Sequence, residues 1–144
     1  MKLIKDKYKY PELQRVENEL GRFYIDSEGQ EVPSVTNVLS TTSDQSGIDE
    51  WKRRVGLEEA ERVLQESSSI GSNVHNALEN YLQDKEWKII DDGSYISKTS
   101  ILILESFINN LINDINEVWG LEAGLILDGL YAGCLLYTSD AADD

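Results

Sequence analysis

The chain has 144 residues, 40% of them hydrophobic and 28% charged, which suits one ordinary globular domain. A net charge of -14 argues against a protein that coats nucleic acid by bulk basicity, although cations gathered in one groove would still neutralise phosphates. No run approaches the roughly 20 apolar residues of a membrane span, and the opening Met1-Lys-Leu-Ile-Lys-Asp-Lys-Tyr lacks the apolar centre of a signal peptide, so the cytoplasm is the expected compartment.

The predicted elements begin at Arg22-Phe-Tyr-Ile, an alternating aromatic stretch that reads as a short strand. Asp26-Ser-Glu-Gly29 is a turn signal, and Gln30-Glu-Val returns as a second strand. Pro33-Ser34 opens a short helix with Ser34 as N-cap and Val35, Val38 and Leu39 as its apolar face. Thr41 to Ser46 is polar loop. Ile48 to Val55 is a helix, acidic early (Asp49, Glu50) and basic late (Lys52, Arg53, Arg54), matching the helix dipole, and Gly56 stops it.

A further helix runs from Leu57 to about Ser67 with Leu57, Ala60, Val63 and Leu64 inward. Ser67-Ser-Ser-Ile-Gly-Ser72 weakens helix propensity and predicts a break or kink. Helix resumes from about Gly71 to Gln83 on Val74, Ala77, Leu78 and Tyr81. Asp84 to Ser97 reads as loop, with Trp87-Lys-Ile-Ile as an extended piece, and Ser100 to Ile115 is the most apolar helix. The period then changes to two: Trp119, Leu121, Ala123, Leu125 and Leu127 fall on one face of a strand. Asp128-Gly129 signals a hairpin, and Leu130-Tyr-Ala-Gly133 starts the return strand. No internal repeat is visible.

His75 is the only histidine, and Glu79 follows one helical turn later on the same side. Helical spacing puts the two about 100° and 140° from Val74, at the border of the buried face. An imidazole and a carboxylate there suit a divalent metal, and equally a solvated surface. Ser34 likewise fits either a plain N-cap or a phosphate contact. Trp51 fits core or a stacking platform, and Arg53 and Arg54 fit helix-end charges or phosphate partners.

The order of these segments carries a resemblance. Gly21-Arg-Phe-Tyr, Val32-Pro-Ser-Val-Thr-Asn-Val-Leu-Ser40, Trp51-Lys-Arg-Arg-Val-Gly56, Gly71-Ser-Asn-Val-His75 and Tyr131-Ala-Gly133 follow one another over about residues 15–133. The series resembles the PD-(D/E)XK DNA exonucleases of the mitochondrial genome maintenance type and their relatives in tailed phages of marine cyanobacteria. The resemblance implies an α/β fold: a truncated restriction-endonuclease-like domain with a mainly helical N-terminal part and the first β-hairpin of the core sheet. It implies hydrolysis of DNA phosphodiesters with Mg²⁺ or Mn²⁺, on DNA ends or single strands, in replication, recombination or degradation, within the host cytoplasm if phage-encoded. By residue it implies His75 as a metal ligand, Glu79 and Glu122 as catalytic carboxylates, and Ser34, Thr36, Trp51, Arg53, Arg54 and Ser72 as DNA contacts.

The sequence also departs from that family. Ile70 stands where the family has Arg and Ser72 where it has Thr. Gly133 is followed by Cys134-Leu-Leu in place of Thr-x-Asp, and no Asp/Glu-x-Lys follows. The last eleven residues, Cys134-Leu-Leu-Tyr-Thr-Ser-Asp-Ala-Ala-Asp-Asp144, resemble a translated transposase adapter of sequencing libraries, so residues 1–133 are expected to be the native part and to continue further. On that reading Cys134 carries no thiol chemistry, and the chain as written is expected not to cleave DNA. Two other readings remain: a non-catalytic DNA-end binding module and an acidic helical interaction protein.

Overall fold

Gly56 divides two helices because its backbone sits at φ +90°, a conformation that side chains disfavour. Before it lies α2 (Ser46–Val55), which starts two residues earlier than expected, and after it α3 (Leu57–Leu82). The computed structural model describes residues 2–110 and 112–139. The described residues divide into two compact units, one formed by residues 2–4, Gly47–Val118 and Ser139, the other by Lys5–Ser46 and Trp119–Thr138.

In the first unit α3 is one unbroken helix, where a break or kink had been expected near residues 67–72. The serines do not break it because a hydroxyl can be satisfied on the helix itself: Ser69 Oγ donates to the Gln65 carbonyl at 2.9 Å. Its buried positions are Ala60, Ala77, Leu78 and Leu82, while Leu57 and Leu64, expected inward, are exposed. Helix α4 (Tyr95–Asn110) begins five residues before the expected Ser100. Ser94 Oγ accepts the Ser97 N–H at 3.1 Å, so the start is a serine cap that the apolar pattern did not reveal. Ser97, Ser100 and Leu104 are the buried side of α4, and Asn73 of α3 reaches Ser100 Oγ at 3.4 Å. A 3-10 turn (Ile112–Asp114) follows; Leu111, within the expected Ser100–Ile115 helix, lies outside the described residues. Trp87 is not in a strand but meets Tyr81 edge-on, with ring centroids 5.3 Å apart. Strand β1 (Lys2–Leu3) pairs in parallel with Glu117–Val118, the start of β5 (Glu117–Leu127).

The second unit holds an antiparallel sheet of β2 (Gln14–Asn18), β3 (Gly21–Ile25) and β4 (Glu31–Pro33). β2 lacked a sequence signal because Gln14-Arg-Val-Glu-Asn is mostly polar and exposed. Helix α1 (Val35–Thr42) follows with Ser34 as its cap, whose Oγ accepts the Asn37 N–H at 3.0 Å. The rest of β5 pairs with β6 (Tyr131–Ser139) across a turn in which Gly129 has φ +73°. Tyr24, Val32 and Ala132 form the buried cluster here, with Leu13 and Ile126 packed against it.

The apolar stripe expected along β5 is interrupted. Glu122 has φ +48°, and after it Ala123 and Gly124 are both buried while Leu125 and Leu127 are exposed. A left-handed residue inside a strand shifts the two-residue alternation by one, as a β-bulge does. Beyond Ala123 the less exposed positions are Gly124 and Ile126 rather than the leucines.

Candidate functional site

Alternation along β3 sends Arg22 and Tyr24 to the same side, and it is this side that meets the start of α1. A cleft of about 470 Å³ is lined there by Arg22, Tyr24, Ser34, Val35, Thr36, Glu122, Leu125, Ile126, Leu127, Tyr131, Gly133, Cys134 and Leu135. A second, of about 420 Å³, shares Arg22, Ser34 and Thr36 and adds Glu17, Asn18, Gly21, Asn37 and Ser40.

Small residues make this junction possible. Ala132 on β6 is buried and bridges Ser34 in parallel register. A Cβ added to Gly133 would lie 3.3 Å from Val35 Cγ2, so glycine lets α1 approach the strand. Gly21, at φ +114°, sits against Asn37, where an added Cβ would fall 2.3 Å from Oδ1. Asn37 Nδ2 donates to the Leu20 and Arg22 carbonyls at 3.1 and 3.2 Å and so ties the first turn of α1 to the head of β3. Ser34 is buried and Thr36 exposed. Arg22 is close to half exposed and its Nε lies 3.4 Å from Glu17 Oε1, while Arg15 also pairs with Glu17. Those two guanidiniums, Arg15 foremost, hold the Glu17 carboxyl below its usual range.

Of the residues expected to carry function, Ser34, Thr36 and Glu122 line one cleft. Arg22 belongs with them but was not among the expected site residues; the alternation of Arg22-Phe-Tyr-Ile was the signal that placed it beside Tyr24. Helix N-terminal N–H groups, a hydroxyl and a guanidinium together make a surface suited to an anionic oxygen. Glu122 opposes that and would suit a metal or a proton held against the anion.

The remaining expected residues lie in the first unit. Trp51 is half-buried on α2, and Arg53 and Arg54 are exposed in its last turn. On α3, Ser72 and His75 are exposed and Glu79 is half-buried, its Oε1 accepting from Gln83 Nε2 at 3.0 Å. Among the described residues no group of three or more His, Cys, Asp or Glu stands together to hold a metal. The cleft of about 410 Å³ in this unit is lined instead by Arg62, Val63, Glu66, Ser67, Ile70 and Tyr95.

Two aspartates organise turns. Asp26 is buried and accepts N–H groups from Glu28 and Gln30 at 2.9 and 2.8 Å and from Gly129 at 3.0 Å. The Gln30 N–H is the main reason its carboxyl is held below the usual range. Asp128 accepts the Ser27 N–H at 3.1 Å and hydroxyl at 2.6 Å, so the 26–30 and 128–129 turns are latched from both sides. Ahead of α4, hydrogen bonds from the hydroxyls of Ser94 and Ser97 push the Asp92 carboxyl down to about 2.

Among the described residues no helix is long and apolar enough to cross a membrane. In comparison with known proteins, no family model, no curated protein and no solved structure matches the chain.

Proposed function

We propose that the chain binds DNA through the cleft at the start of α1, as part of a metal-dependent exonuclease of the PD-(D/E)XK kind. The observation that carries this reading is the meeting of Ser34, Thr36 and Arg22 with Glu122 in one cleft, Glu122 being held at φ +48°. Non-glycine residues persist in such strained backbone where the surroundings enforce it, and they gather at functional sites.

The same reading predicts binding without cleavage for this sequence. Gly133 precedes Cys134-Leu-Leu rather than Thr-x-Asp, so the residues present do not supply the hydrolytic step of that family. That deficit favours the DNA-end binding module as the second reading.

The test is fluorescence anisotropy with a labelled duplex bearing a single-stranded overhang, with and without Mg²⁺. Binding should weaken several-fold in Arg22→Ala, and the slope of log affinity on log salt should shrink by about 1. Thr36→Val should weaken it less, and no shortened strand should appear. Failure of the chain to bind, or indifference to Arg22 and Thr36, would overturn the reading in favour of an acidic interaction protein.

A further inference from the structure

Six consecutive residues of the second unit, Lys5-Asp-Lys-Tyr-Lys-Tyr10, hold three of the 13 lysines and arginines of a chain whose net charge is -14. Asp6 turns the chain there at φ +70°, a left-handed backbone that aspartate tolerates better than most residues. The turn lays Lys7 over Trp119, its Nζ 4.8 Å from the ring centroid. Tyr8 meets Trp119 edge-on at 5.9 Å and Tyr10 edge-on at 6.3 Å, yet 53% of Tyr8 stays exposed. Lys5, Lys7 and Lys9 are exposed around it.

An aromatic cluster built only for the core would bury its rings. Here the outermost ring is braced by two others and left half in water, within a locally basic stretch of an acidic molecule. A cation–π contact orients Lys7 without neutralising it. Braced rings and exposed cations are the two components that single-stranded nucleic acid recognition needs: a π-face for an unpaired base and ammonium groups for the phosphates between bases. A duplex offers no free base faces, and an acidic peptide would have no use for the rings.

We infer that Tyr8, backed by Trp119 and Tyr10 and flanked by Lys5, Lys7 and Lys9, is a stacking platform for unpaired bases of single-stranded nucleic acid. It shares no residue with the cleft at α1 and stands whether or not that cleft binds DNA.

The experiment titrates the full 144-residue chain with fluorescein-labelled oligo(dT), and with an abasic strand of equal length, in EDTA. Oligo(dT) should bind more tightly than the abasic strand. Tyr8→Ala should lose about five- to a hundredfold in affinity for oligo(dT) and little for the abasic strand. Tyr8→Trp should keep the affinity and Tyr8→Leu should not, which separates stacking from general apolar contact and guards against a misfolded alanine variant. Replacing Lys5, Lys7 and Lys9 together by glutamine should reduce the slope of log affinity on log salt by about 2. Equal binding of the two strands, or indifference to every Tyr8 variant, would overturn the platform. The Arg22→Ala, Thr36→Val double variant separates the two sites: oligo(dT) binding should survive in it, and its loss there would assign the strand to the cleft and also overturn the platform.

Discussion

At the residue scale, the glycines of the second unit differ in what they spare. Gly21 avoids both a strained backbone at φ +114° and a collision with Asn37, whereas Gly29, at φ +79°, has nothing within 4 Å of its missing side chain. Gly29→Ala should therefore cost only the left-handed backbone, about 1 kcal/mol, and Gly21→Ala distinctly more, about 2–4 kcal/mol, in urea unfolding. Asp26 and Asp92 set an acid limit. Both carboxyls are held below their unfolded values, so their contribution to stability is complete above pH about 4. It is lost as pH falls through the folded values, which for Asp92 means toward pH 2. Melting temperature measured from pH 6 to pH 2 should fall below about pH 4, and the fall should be smaller in Asp26→Asn and Asp92→Asn, which start from a lower plateau.

At the element scale, α3 carries the clearest test. Gly71 lies inside an unbroken helix with nothing within 4 Å of an added Cβ, so Gly71→Ala should stabilise the chain by about 0.5–1 kcal/mol. A true kink there would make the same change neutral or harmful. Sequence reading placed α1, α2 and the Asp128-Gly129 hairpin well because each is marked by local chemistry: a serine cap, a basic last turn, a glycine at positive φ. It failed where the deciding interaction was not local. The serines of α3 look like breakers until their hydroxyls are seen bonded to their own helix. The start of α4 lies in a run of serines that bury small side chains against α3. The face of β5 changes at Glu122, whose left-handed backbone nothing in Leu121-Glu-Ala betrays. The cleft was half legible: Ser34 and Thr36 belong to a recognisable segment, but Arg22 joins them only through sheet pairing.

At the scale of the whole molecule, charge and apolar surface oppose each other. Leu125, Leu127, Leu130, Tyr131 and Leu135 are exposed along β5, β6 and their turn, while the chain carries a net charge of -14. Self-association should strengthen with salt as that repulsion is screened, and sedimentation at rising NaCl should show it. Leu127→Glu should suppress the effect. The buried cluster of Tyr24, Val32 and Ala132 has a different consequence, in time rather than space. Its first two members emerge from the ribosome some hundred residues before the third, and synthesis at about 5–20 residues per second leaves them uncovered for about 5–20 s. The second unit cannot close during that interval, and chaperones that shield nascent apolar strands should raise the yield of folded chain more than slower cooling of the purified protein would.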